Sequence, residues 1–171
     1  MRKSCRHLNE ILKRTFNLAE VPSKLEPEGL CRDDGKRPDG MTLVPWSHGQ
    51  ILVWDATCWD TLARSYVKGS ATCAGSVALK AANRKRSVYT DIIAQNYLFV
   101  PFACETVGGW CDEAIDLINE LGSMIRRITG EPRSKSYIFQ KISILIQRSN
   151  AARVMGSLPD TEKLNEIFYL L

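Results

Sequence analysis

The sequence has 171 residues, 44% of them apolar, and a formal net charge of +4 at pH 7. This length is typical of one domain and this apolar content argues against disorder over most of the chain, while the lack of any run of about 18 apolar residues predicts no transmembrane helix. The basic N-terminus has no following apolar segment, which argues against a secretory signal. The six cysteines form no CxxC pair, which argues against a zinc ribbon and a disulfide framework. Both observations predict an intracellular protein.

Hydrophobic periodicity and turn residues divide the chain into helices and strands. In chain order, the predicted elements are a helix at 4–19, a weak edge strand at 21–27, strands at 40–45 and 50–58, a helix at 71–96, a strand at 97–106, and helices at 112–129 and 134–154. Residues 46–49 are predicted to form a hairpin connection, and residues 60–70 an irregular crossover.

The strand at 97–106 is apolar over nearly its whole length, which indicates burial on both faces, as in a parallel or mixed sheet. The predicted fold class is therefore α/β, with a central mixed sheet flanked by helices and extra C-terminal helices. One domain is predicted over residues 1–157, followed by a tail or short helix at 158–171.

Two aspartates lie in or beside apolar segments, where burying a charge costs free energy. Asp39 follows Arg37-Pro38 and begins an apolar run, and Asp55 lies in the middle of the strand at 50–58. A buried charge needs a partner, and side chains on one face of neighbouring strands project together. Such a pair predicts a divalent cation with open positions for water and phosphate, as in phosphodiester hydrolysis. A turn aspartate at 39 and a structural salt bridge from Asp55 to an arginine remain alternatives.

Phosphodiester hydrolysis also needs a basic group close to the metal, to orient water and offset developing charge. Thr57 lies two residues after Asp55 on the same strand face, where a nuclease often carries a lysine. The amine is therefore expected from the helix at 71–96. Its clustered basic residues are Lys80, Arg84, Lys85 and Arg86.

Three segments carry a resemblance to a known family: Arg37-Pro38-Asp39, Trp54-Asp55-Ala56-Thr57, and Arg84-Lys85-Arg86 with Tyr89. They resemble the restriction-endonuclease-like fold, PD-(D/E)XK, and more closely the endonuclease domain of site-specific non-LTR retrotransposons. The resemblance covers roughly residues 5–155. It implies Mg²⁺-dependent (or Mn²⁺-dependent) nicking of a target DNA strand, which primes reverse transcription.

The resemblance also implies roles for individual residues. Asp39 and Asp55 would be the metal ligands and Lys85 the catalytic lysine, since in that family the lysine has moved from the strand to the following helix. The additional site candidates are Glu10, Thr57 and Tyr89, and the candidates for DNA binding are Arg37, Lys80, Arg84 and Arg86. A solvated surface residue remains the alternative for Glu10 and Lys85, a solvated helix face for the basic cluster of the helix at 71–96, and simple packing for Thr57.

The implied partners are DNA and a reverse transcriptase or retroelement RNA complex, which implies a nuclear location. Trp46, Trp54 and Trp59 flank or lie in the predicted strands, where they either stack on bases or pack in the core. Two other hypotheses remain. One is a non-catalytic DNA- or protein-binding module on the same fold, and the other is an unrelated α/β domain with a structural acidic pair.

Overall fold

The structure is a computed structural model that describes residues 2–30 and 35–157. Its elements are α1 (Arg2–Leu18), β1 (Ser23–Leu25), a 3-10 turn (Glu28–Leu30), β2 (Gly40–Ser47), β3 (Gln50–Trp59), α2 (Val67–Thr72), α3 (Ser76–Val88), α4 (Thr90–Ala94), β4 (Leu98–Glu105), α5 (Asp112–Thr129) and α6 (Ser134–Ser157). The predicted tail at 158–171 lies outside the described residues. None of the described helices is both long and apolar enough to span a bilayer.

The strands form one four-stranded sheet in the order β1-β2-β3-β4. β1 pairs with β2 and β2 with β3 in antiparallel fashion, whereas β3 and β4 run parallel, from the pair Leu52–Leu98 to the pair Trp59–Glu105. A parallel pair needs a crossover connection, which here contains α2, α3 and α4. The predicted α/β class with a mixed sheet flanked by helices is confirmed.

Alternate residues of β3 point to two different layers, as expected for a strand with a period of two. Trp54 is fully buried, and its ring stacks on Phe16 of α1 with centroids 4.8 Å apart. Val53 points the other way and packs with Tyr89 and Ile92 of the crossover. Asp55, two residues after Val53, therefore faces the crossover helices.

The prediction of one continuous helix at 71–96 is wrong, because the segment contains the end of α2 and the separate helices α3 and α4. Gly75 adopts a left-handed conformation with φ of 79° directly before α3, and Tyr89 leaves helical geometry between α3 and α4. A further short helix, α2, lies mostly inside the segment that was predicted to be irregular. Alanine-rich composition favours helix throughout this segment, but the tertiary contacts of Tyr89 outweigh that local preference.

The turn between β2 and β3 consists of His48 and Gly49, both with positive φ, at 48° and 78°. This pattern is typical of a type I′ hairpin turn and confirms the predicted connection. Further along β2, the register shifts on either side of Pro45, which has no N–H to donate to the ladder. The Thr42 hydroxyl compensates locally by accepting a hydrogen bond from the Leu52 N–H at 3.1 Å.

Candidate functional site

Asp39 directly precedes β2 and is held there by backbone and side-chain hydrogen bonds. Its N–H donates to the Trp54 carbonyl at 3.0 Å, and its carbonyl accepts from the Glu26 N–H at 2.9 Å. The next residue must be glycine, because a Cβ on Gly40 would lie 2.1 Å from the Trp54 ring. This close approach of backbone and indole brings Asp39 against β3, where its Oδ2 accepts a hydrogen bond from the Ala56 N–H at 2.8 Å.

Asp55 lies in the middle of β3 and is only 4% exposed. Its Oδ1 accepts a hydrogen bond from the Lys85 Nζ at 2.7 Å. Lys85 belongs to the last turn of α3, and its side chain is 27% exposed. The bond spans 30 positions of the sequence. Asp39, Asp55 and Lys85 therefore converge as the sequence predicted, while their catalytic roles remain predictions.

The two aspartates interact strongly with each other. Burial, the negative charge of Asp55 and a side-chain hydrogen bond with Asp55 together raise the pKa of Asp39 to about 6. Hydrogen bonds from the Asn9 side chain and the Ala56 backbone act in the opposite direction. At neutral pH the cluster of two carboxylates and one ammonium carries one excess negative charge, which makes it attractive to a cation.

Asn9 of α1 is a site residue that the sequence analysis missed. It is 7% exposed, its Oδ1 accepts a hydrogen bond from the Trp54 Nε1 at 3.4 Å, and its side chain also bonds Asp39. The neighbouring Glu10, which was proposed as an additional ligand, is exposed. The sequence feature that indicates its role is its position three residues before Leu12, on the apolar face of a helix. A buried amide at such a position needs hydrogen-bond partners.

Tyr89 and Thr57 lie on the crossover side of the sheet. The Tyr89 hydroxyl donates to the Arg37 carbonyl at 2.9 Å, and its ring contacts Phe99 with centroids 4.9 Å apart. Tyr89 therefore ties the end of α3 to the segment that precedes Asp39. Thr57 is buried two residues after Asp55, and its side chain occupies the position where a strand lysine would lie.

The four residues predicted to bind DNA differ in their surroundings. Arg37 forms a salt bridge with Glu26, and Arg86 forms one with Glu113. Lys80 and Arg84 are exposed on α3. Contact of these residues with DNA remains a prediction.

Glu105, the last residue of β4, anchors the helix that supplies Lys85. It is 2% exposed, and its Oε1 accepts hydrogen bonds from the N–H groups of Val77 at 2.9 Å and Ala78 at 3.0 Å. A carboxylate at this position satisfies orphan amides of the first helical turn and complements the helix dipole. Glu105 therefore fixes the start of α3, and with it the position of Lys85 along the sheet.

The donor set distinguishes between classes of metal site. Among the residues that the structure describes, no group of three or more His, Cys, Asp and Glu side chains is arranged to hold a metal. A structural zinc site takes four nitrogen or sulfur ligands, and Asp39 and Asp55 do not fit it. Mg²⁺ is commonly held by one or two carboxylates together with waters and substrate phosphates, and the pair fits that requirement.

No family model matches this sequence, and no curated protein matches it either. The class that the structure itself defines is an α/β domain with a mixed four-stranded sheet. On that sheet, the buried Asp55, the half-buried Asp39 and the Lys85 ammonium meet on the crossover side.

Proposed function

We propose that this protein is a nuclease that uses Mg²⁺ (or Mn²⁺) to hydrolyse phosphodiester bonds in DNA, on a restriction-endonuclease-like core. The observation that carries the proposal is the convergence of Asp39, Asp55 and Lys85, with Nζ of Lys85 2.7 Å from Oδ1 of Asp55. Asp39 directly precedes β2, Asp55 lies in the adjacent antiparallel strand β3, and the lysine comes from the crossover helix α3. This is the arrangement that the sequence resemblance implies.

Asp39 and Asp55 would hold the cation, which when bound neutralises phosphate charge and activates water for attack. Asn9 and the Ala56 N–H orient Asp39. Lys85 donates a hydrogen bond to Asp55 across the site. The ammonium of Lys85 would lie beside the bound phosphate or the attacking water, where it would offset the charge that develops in the transition state.

We further propose that the domain originates from a site-specific non-LTR retrotransposon, so that its DNA target and an associated reverse transcriptase or retroelement RNA complex would lie in the nucleus. The proposal rests on the motif spacing and on the placement of the lysine in the crossover helix instead of the strand. Backbone contacts by basic residues carry no base information. Site preference is therefore expected to come from partner domains or from the shape of the DNA.

The test is nicking of supercoiled plasmid by the purified chain with Mg²⁺ or Mn²⁺ and with EDTA. Asp55→Asn is expected to reduce the nicking rate by at least about 100-fold, the loss typical of one removed electrostatic stabiliser. Asp116→Asn, which changes an exposed acid of α5, serves as the matched control and should nick at the wild-type rate. Metal-dependent nicking that survives Asp55→Asn would contradict the proposal.

One observation favours a second candidate, a non-catalytic DNA- or protein-binding module. The direct Lys85–Asp55 ion pair is also what a purely structural salt bridge looks like, and such pairs occur without catalysis. If the wild-type chain binds DNA without cutting it in either metal, and Asp55→Asn binds equally well, the module is the better account.

A further inference from the structure

The positive charge of the chain is concentrated beside the candidate site. Between positions 60 and 86 there are six basic residues and one acidic residue, Asp60, for a formal charge of +5, whereas the whole chain carries +4. The rest of the chain is therefore slightly acidic. Four of the basic residues in this segment are exposed, namely Arg64, Lys68, Lys80 and Arg84. This electrostatic pattern favours a polyanion on the α2 and α3 side of the sheet.

An aromatic stack lies within this basic segment. The rings of Trp59 and Tyr66 have centroids 5.2 Å apart and planes inclined by 34°. The guanidinium carbon of Arg84 lies over the Trp59 ring, 5.8 Å from its centroid. Trp59 and Tyr66 are half-buried, whereas Arg84 is exposed.

The stack is connected to the candidate site through two elements. Trp59 lies four residues after Asp55 on the same face of β3, a distance of about 13 Å along a strand. Arg84 directly precedes Lys85 in α3. A nucleic acid strand that places a phosphate at Asp55 and Lys85 therefore passes the stack within a short distance.

We propose that Tyr66, Trp59 and Arg84 form a stacking platform for an unpaired base. The preferred substrate of the site would then be DNA with a single-stranded segment next to the scissile bond. Guanidinium planes and aromatic rings stack on bases that have left the duplex, whereas bases inside a duplex are already stacked on each other. The inference about the preferred substrate rests on the proposed nuclease function. The inference that a base stacks here rests on the aromatic stack and its charged surroundings.

Two substitutions in α3 separate stacking from charge. Arg84→Lys keeps the positive charge but removes the planar guanidinium. Lys80→Ala removes a charge from an exposed position one helical turn away. The substrates are a labelled duplex and the same duplex with one end splayed into single strands. Binding is measured without divalent cation over a range of salt concentrations, and cleavage is measured with Mg²⁺.

The wild-type chain is expected to bind and cut the splayed DNA about 10-fold better than the duplex, the size of effect of one stacked base. Arg84→Lys should bring this ratio close to one. Lys80→Ala should weaken the binding of both substrates equally. It should also reduce the salt dependence of the affinity by the amount expected for about one phosphate contact. Single strands should quench the fluorescence of the wild-type chain and of Trp46→Phe, but not that of Trp59→Phe.

The possible failures are distinguishable. Asp55-dependent cutting of both DNAs at one rate, or an unchanged ratio in Arg84→Lys, would overturn the platform and leave the nuclease proposal standing. An Arg84-dependent preference in binding with no cleavage by any form would overturn the nuclease proposal and retain the platform. Failure to bind either DNA would overturn both.

Discussion

Buried or half-buried carboxylates occur at two places on the crossover side of the sheet, and the fold neutralises them in different ways. Glu105 accepts hydrogen bonds from two backbone N–H groups at the start of the helix. Asp39 and Asp55 instead lie against each other, Asp55 accepts a hydrogen bond from the Lys85 ammonium, and the pKa of Asp39 rises to about 6. The comparison teaches that the first acid is part of the scaffold, whereas the second site keeps a negative charge that a bound cation would compensate.

The largest expected effect is a loss of nicking activity in a variant of the acidic pair that does not lose stability. Asp39→Asn should reduce metal-dependent nicking by at least about 100-fold, yet stabilise the metal-free protein at pH 8, because the amide removes the repulsion from Asp55. Nicking assays and thermal unfolding of the same preparation measure the two effects. A loss of nicking accompanied by a lower melting temperature would instead indicate that Asp39 is structural.

Loss of the lysine should have the largest effect on stability. Lys85→Ala leaves Asp55 buried without its ammonium, which costs about 3–5 kcal/mol and should lower the melting temperature by roughly 6–15 °C for a chain of this size. Lys80→Ala on the same helix is the control and should change stability by no more than about 0.5 kcal/mol. If both variants melt at the same temperature, the ion pair contributes nothing to folding.

At the scaffold acid, Glu105→Ala should cost about 2–3 kcal/mol, because the N–H groups of Val77 and Ala78 are left buried without an acceptor. Glu105→Gln retains an acceptor oxygen and should cost less. Urea unfolding of both variants provides the measurement. A Gln variant as unstable as the Ala variant would show that the charge at the helix N-terminus, and not the hydrogen bonding, stabilises α3.

The smallest expected effect is a pH dependence specific to Asp39. A raised folded-state pKa means that the native protein binds more protons than the unfolded chain between about pH 4 and pH 6. The contribution of Asp39 to stability is therefore complete below about pH 4 and is lost as pH rises through about 6. The stability difference between Asp39→Asn and wild type should grow over this interval in metal-free buffer. A constant difference from pH 4 to pH 8 would contradict the raised pKa.

Elements with local signals were predicted well. The helix predicted at 112–129 has the bounds of α5, because Gly130 ends it in a left-handed conformation with φ of 74° and such C-terminal signals are local. The pair Asp39 and Asp55 was found because a charge in an apolar strand needs a partner. The break at Tyr89 was missed, since Tyr89 leaves the helix for contacts with Arg37 and Phe99 that lie far away in the sequence.

The sequence by itself determined the order of helices and strands, the mixed sheet and the identity of the acidic pair, because periodicity, turn residues and the cost of a buried charge are properties of short segments. Only the tertiary structure decided which α1 residue reaches the site, Asn9 instead of Glu10, and that Lys85 bonds Asp55 directly. Those contacts depend on how α1 and α3 pack across the sheet. The Lys85–Asp55 bond joins residues 30 positions apart, a separation over which helical and strand periodicity carry no information.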